Sequence, residues 1–224
     1  MGSFYNLKKR CLQIFSNSGK EANYEFHKWK KQLTIADEII SLGVILLIFL
    51  GVFSLDYLMI GIYFLIYPYL FLTARKNAFY HLYVSSIIAL IWVVIANRHY
   101  QYGALSLTIF GLNAYPLFAW ASGLFAVYIL YSHWEHKIKS NSFIKKLGFF
   151  VVIYWVLLIF VETIAYHVFN VIDIVNLAYA GLPFCDCIHA PHWMQFAYFL
   201  MGPIYFTICE LLGLENPHHI KKKK

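Results

Sequence analysis

Ile39-Ile-Ser-Leu-Gly-Val-Ile-Leu-Leu-Ile-Phe-Leu-Gly-Val-Phe-Ser-Leu55 carries no charge from end to end. A helix over this run would extend about 26 Å at 1.5 Å per residue, close to the thickness of bilayer hydrocarbon. The pattern recurs outward along the chain. Stretches near 38–55, 57–74, 78–97, 104–132, 147–169 and 193–213 each read as a membrane span. Composition agrees: of 224 residues, 61% are hydrophobic and 13% charged, against roughly 45 to 50% and about 25% in soluble proteins. A soluble domain of this size could not hide so much apolar surface. The expected fold class is an all-α integral membrane protein, a bundle of about six transmembrane helices. Disordered, collagen-like and disulfide-rich secreted chains are excluded by the same composition.

Prolines interrupt three of the spans. Asn113-Ala-Tyr-Pro116 falls inside the fourth, which is too long for one upright helix and too short for two, so a kink or break is expected there. Tyr67-Pro68-Tyr69 and Gly202-Pro203 mark further kinks, tolerated where neighbouring helices satisfy the freed carbonyls.

Basic residues orient the bundle, because Lys and Arg are retained on the cytoplasmic side. Of the 18, all but Arg98 fall on one side of the six-span topology. Both termini are therefore expected in the cytoplasm. Residues 1–35 form a basic cytoplasmic segment with a short interfacial helix around Phe4 to Phe15, 36–214 the six-helix domain, and 215–224 a basic tail. The net charge of +7 reads as topology and attraction to anionic headgroups, not as nucleic-acid binding. The polar N-terminal segment lacks the pattern of a cleavable signal, and Asn6 stands where myristoylation would want Ser or Thr. The expected location is the cell membrane. In a eukaryotic source Lys221-Lys222-Lys223-Lys224 would resemble an endoplasmic-reticulum retrieval signal, and a positive-inside tail explains the same residues.

This topology sorts the reactive side chains. The pairs His133-Trp-Glu-His136 and His189-Ala-Pro-His192 fall on opposite sides, which argues against a membrane di-iron centre built from both. The external connection before the last span is richer, with Cys185, Asp186, Cys187, His189 and His192 within eight residues. Thiolates and imidazoles are ligands for zinc, copper or iron. Cys11 and Cys209 lie too far inside to reach this pair. Cys185 and Cys187 must therefore bond each other, a ligand or another chain, or stay reduced. Val171 to Phe184 is too apolar for an ordinary wet loop and is expected to fold back against the bundle, in re-entrant fashion.

Glu162 lies seven residues before the outer end of the fifth span, about 10 Å deep at helical rise. An ionised carboxylate is costly there and usually faces a cavity or a partner. Tyr166, four residues on, shares its face and is placed to share a hydrogen bond; His167 lies nearer the boundary. The expected constellation is Glu162, Tyr166 and His167 beneath the Cys/His loop, with Asp56 and His99 on the same side at unknown distance. His81 is expected to reach the inner interface, and Glu210 inner water. A Gly-rich phosphate loop, a Gly-x-Ser-x-Gly elbow, a Lys within a span and an Arg-rich helix are all absent from the sequence. That disfavours nucleotide-driven pumps, common serine hydrolases, rhodopsins and voltage sensors.

Three functions fit these residues. The leading one is a membrane-embedded enzyme acting on a lipid or isoprenoid-like substrate at the external side, with Glu162 as acid or base. The second is a proton- or cation-coupled small-molecule transporter. The third is a non-catalytic subunit of a membrane complex, whose polar groups hold helices together.

Overall fold

A computed structural model gives the fold over residues 32, 35–40, 42–44, 54–73, 75, 77–102, 107–135, 138, 142–214 and 216–217. The basic N-terminal segment, most of the first expected span, His136 and the Lys-rich tail lie outside the described residues. The described chain is mostly helical. Its long helices are α1 (Leu55–Leu72), α2 (Ala78–Ala96), α3 (Ala114–Trp134), α4 (Phe143–His167) and α5 (His192–Leu211). Among the described residues, α1 to α4 are long and apolar enough to cross a membrane. The fifth falls at the expected place but is less apolar, carrying His192, Gln195, Thr207 and Glu210.

The helix α3 is the centre of the bundle and packs against α1, α2, α4 and α5. Its apolar stretch is 56% buried, against 11% for α1 and 17% for α4. Peripheral helices that are apolar on every face match a surrounding apolar solvent, since in water such a helix would be internal. Small side chains set the closest approaches. Ala78, Ala89, Ala96 and Ala114 are fully buried at the ends and middle of the α2–α3 region, the kind of residue that lets helix backbones come together. Gly202 of α5 is the tightest of these points, because a Cβ there would collide with the Tyr154 ring of α4. Around it Tyr128, Tyr131, Phe150, Tyr205 and Phe206 form one buried aromatic cluster.

The expected fourth span over 104–132 is corrected at its start. Thr108–Ile109 pairs with Leu112–Asn113 in a short antiparallel hairpin, β1 and β2. Its two turn residues, Phe110 and Gly111, both have positive φ (52° and 77°), the backbone a tight two-residue hairpin requires. The helix begins only at Ala114. Asn113 caps it by accepting from the Tyr115 amide at 3.0 Å, and Pro116 sits in the first turn, where its missing N–H costs nothing. The proline break thus becomes a helix start. Pro68 and Pro203 remain inside α1 and α5.

Candidate functional site

The two ends of the bundle are built from different chemistry. At the end carrying Arg75, charges are buried in pairs. The Arg75 guanidinium grips Asp37 through two bonds, 2.7 Å to Oδ2 and 2.9 Å to Oδ1. His133 Nε2 approaches Oδ2 at 3.0 Å, and the Tyr69 hydroxyl donates to Oδ1. Burial opposes the charge on Asp37, but the bonds from His133 and Arg75 win and hold its carboxyl well below the usual range. Burial also opposes the charge on Arg75, and the Asp37 carboxylate overrides it and pushes Arg75 upward. Close by, Lys146 meets Glu135 at 2.6 Å, while the Asn216 amide donates to Glu135 and, at 3.1 Å, to the Ser132 carbonyl.

The opposite end is held by neutral groups. The expected fold-back of Val171 to Phe184 is only partial: Asn176 is buried, but Ile174, Leu177, Tyr179 and Phe184 are exposed, and the burial in the main core falls just after the segment, on Cys187, Ile188 and Ala190. Asp173 accepts from the Gln101 and Val175 amides, both at 3.2 Å, and Asn176 Nδ2 donates to the His99 carbonyl at 3.0 Å. Burial nonetheless pushes the Asp173 carboxyl up. Gln195 then staples the connection to α5, its Nε2 donating to the carbonyls of Ala180 (2.9 Å) and Ile188 (3.0 Å).

Within this connection Cys185 and Cys187 are joined by a disulfide. Neither sulfur is then a free thiolate, so this form gives no support to the expected metal set of Cys185, Asp186, Cys187, His189 and His192. Among the described residues, no group of three or more His, Cys, Asp or Glu side chains is placed to hold an ion. The histidines face backbone and amide oxygens instead. His167 Nε2 donates to the Cys185 carbonyl at 2.9 Å. His189 has Nδ1 at 2.8 Å from the Tyr179 carbonyl and Nε2 at 3.1 Å from that of Asp186. His192 Nδ1 lies 3.3 Å from Gln195 Oε1. Asp186, with positive φ (44°), sits at the turn with its side chain 75% exposed. Gly181 is required beside it, because a Cβ would come within 2.8 Å of His189 Nε2 and 2.9 Å of the Asp186 backbone.

Glu162 and Tyr166 separate. Tyr166 stacks on His189 with centroids 4.5 Å apart, so the expected bond between the two is not formed. Glu162 is half-buried on α4, and Tyr154 of the same helix belongs to a group with Tyr100, Tyr102, Tyr115 and Tyr198 that is joined by hydrogen bonds and ring contacts. These tyrosines form a network that the sequence does not signal, because its members lie as far apart as Tyr100 and Tyr198. The Tyr100 hydroxyl receives the indole N–H of Trp92 (2.7 Å) and of Trp120 (3.1 Å). Both of its lone pairs are then used, so its own proton goes to the Tyr198 hydroxyl at 3.0 Å. Tyr154 donates to the Tyr198 carbonyl.

Beside this network lies an apolar crevice of about 80 Å³. Leu55 and Met59 of α1, Tyr115 of α3, and Val161, Ile164 and Ala165 of α4 line it, and Phe169 and Val171 close its loop end. Asp56 follows Leu55 in the first turn of α1 and is 3% exposed. One of its oxygens accepts from the Leu107 amide at 3.4 Å, and Oδ1 has no partner among the described residues. His99 packs edge-on against Trp193 at 5.5 Å. His81 does not reach an interface: it is fully buried and stacked on Tyr128 at 4.1 Å.

The class defined so far is a helical protein with four helices able to span a membrane, tied by charge at one end and by neutral bonds at the other. No protein-family model, curated protein or solved structure matches the chain.

Proposed function

We propose that the protein is a six-span integral membrane protein with cytoplasmic termini that acts on a lipid or isoprenoid-like molecule at the external side, with Glu162 exchanging a proton with that molecule. The observation that carries this reading is an apolar crevice open between two peripheral helices, whose α4 wall, Val161, Ile164 and Ala165, brackets Glu162 in the chain. A chain or ring system entering from the bilayer finds apolar walls, and its polar part meets the acid and the tyrosine hydroxyls. The cell membrane, or the endoplasmic reticulum in a eukaryote, is the compartment this assignment implies.

The six-span count draws support from where its ends fall. Asp37 is bonded to Arg75 and His133 at one end of the bundle, while Leu55 lines the crevice with Phe169 and Val171 at the other. At helical rise the 18-residue separation corresponds to about 27 Å, one crossing. Arg75 and Lys146 gather at the same end, as alternate loops on one side must. The retained-inside rule for basic residues makes that end cytoplasmic.

Two measurements test the reading. Photoactivatable fatty-ester and farnesol probes in vesicles should label peptides from the outer ends of α1 and α4, and labelling spread evenly along both helices would sink it. In lipid extracts of cells expressing the protein, a species that rises or falls with wild type should return to baseline with Glu162→Gln at equal protein level. A variant with wild-type extracts removes Glu162 from the chemistry.

A further inference from the structure

The loop that carries Cys185 and Cys187 is held from outside its own disulfide. Each of the four carbonyls from Cys185 to Ile188 has a partner beyond the ring. His167 of α4 donates to that of Cys185 (2.9 Å), His189 Nε2 lies 3.1 Å from that of Asp186, the Leu182 amide donates to that of Cys187 (2.8 Å), and Gln195 of α5 to that of Ile188 (3.0 Å). Within this frame Asp186 and Ile188, on either side of Cys187, both have positive φ (44° and 56°). That backbone is unfavourable for any residue with a Cβ, most of all a branched one, and persists only where the surroundings impose it. A ring of three residues also adds little by restricting the unfolded chain. Reduction would free Asp186, in the middle of the ring, to leave this conformation. The bonds to Cys185, Cys187 and Ile188 would keep the two sulfurs near enough to close again. Burial ranks the sulfurs: Cys187 is fully buried, and Cys185 is half-buried between exposed Phe184 and Asp186.

We propose, independently of the crevice and of Glu162, that this pair is a thiol–disulfide exchange site that oxidises a client dithiol at the external face, with Cys185 as the sulfur attacked. On the proposed topology the loop lies outside, where disulfides persist. A client thiolate attacks Cys185 Sγ in line with the S–S bond. That bond breaks, its electron pair goes to Cys187 Sγ, and Cys187 takes up a proton. The client's second thiolate then attacks the client sulfur of the mixed disulfide, and Cys185 leaves and is protonated in turn. Two electrons and two protons thus pass to the pair from the client, which becomes a disulfide. Oxidised glutathione, or another small disulfide, restores the pair by the same steps in reverse. A dithiol is favoured over single thiols because its second attack is intramolecular.

The test uses the full chain in maltoside detergent, equilibrated with glutathione at the poise of an oxidising compartment, quenched in acid and read by alkylation and intact mass. The oxidised pair should exceed the reduced by no more than about tenfold; a larger excess, which in a structural disulfide reaches about a thousandfold, overturns the proposal. Asp186→Gly and Asp186→Ala lose the same carboxylate and differ by one Cβ. The glycine variant should hold an oxidised-to-reduced ratio about fivefold above the alanine variant, since glycine adopts positive φ freely. Equal ratios would remove the strained backbone on which the exchange rests and overturn it. Oxidised glutathione should modify Cys185 in Cys187→Ser about tenfold faster or more than Cys187 in Cys185→Ser, because access limits attack. Equal rates overturn Cys185 as the sulfur attacked. Should the serine variants fail to fold, the wild-type equilibrium still decides.

Discussion

The Arg75 end and the Asp173 end of the bundle solve the same problem by opposite means. At the first, chain segments are fastened by ion pairs: Asp37 to Arg75 and His133, Glu135 to Lys146. At the second, an apolar connection is pinned by a disulfide, by histidine and glutamine bonds to backbone carbonyls, and by stacked rings. The basic residues explain the difference. Among the described residues, Arg75 and Lys146 stand at the first end, each paired with an acid, whereas Arg98, just beyond α2 at the second, is exposed. Two of the acids at the other end, Asp56 and Glu162, lie in α1 and α4, the helices whose apolar side chains line the crevice. An acid paired with a buried cation, as at the Arg75 end, is architecture.

The sharpest way to break this contrast is to remove a cation from the paired end. Arg75→Met leaves Asp37 buried without its bidentate partner and should cost about 3 to 5 kcal/mol of stability, seen as a large fall in melting temperature in detergent. Arg75→Lys should recover part of the loss, since a point charge cannot reproduce the fork. A loss below about 1 kcal/mol would mean the pair is not what fastens this end.

Acid should weaken the same end. A carboxyl held below its ordinary value binds protons more readily unfolded than folded, so the stability it adds is complete above about pH 4 and is lost as pH falls further. Wild type should lose melting temperature as pH falls from about 4 to about 2, as read in buffered detergent, and Asp37→Asn should show a shallower decline from a lower start.

Midway along the bundle, Gly202→Ala drives a Cβ into the Tyr154 ring and should cost about 1 to 3 kcal/mol. Pairing it with Tyr154→Ala should relieve part of the strain, and strictly additive losses would show that the two do not touch. The smallest effect is expected at the neutral end. Cys185→Ser/Cys187→Ser opens a very short loop, worth about 1.5 kcal/mol by loop-closure entropy. Faster amide exchange confined to residues 181–190, with α1 to α3 unchanged, is the expected signature; exchange rising across the whole bundle would contradict the division into two ends.

How much of this the residues announce depends on range. The spans from Leu55 onward are legible because a helix in hydrocarbon must be apolar along its whole length, a property of consecutive residues. The break at Pro116 is legible for the same reason, although that it would become a capped helix start after a hairpin depends on Phe110 and Gly111 both adopting positive φ. The disulfide appears in the sequence only as one option among several, because adjacency permits it without requiring it. The pairing of Asp37 with Arg75, 38 residues away, leaves no trace in the sequence. Nor does the Tyr100 hub, whose partner Tyr198 is 98 residues distant.

The sequence by itself determined that the chain is helical, apolar over span lengths and segregated in charge, since these follow from residue type and local order. Tertiary structure alone decided that Cys185 and Cys187 close on each other, that Tyr166 turns to His189 and not Glu162, and that Tyr100 meets Tyr198. Those outcomes depend on which helices pack against α3, and a buried polar group takes whichever partner that packing brings within reach.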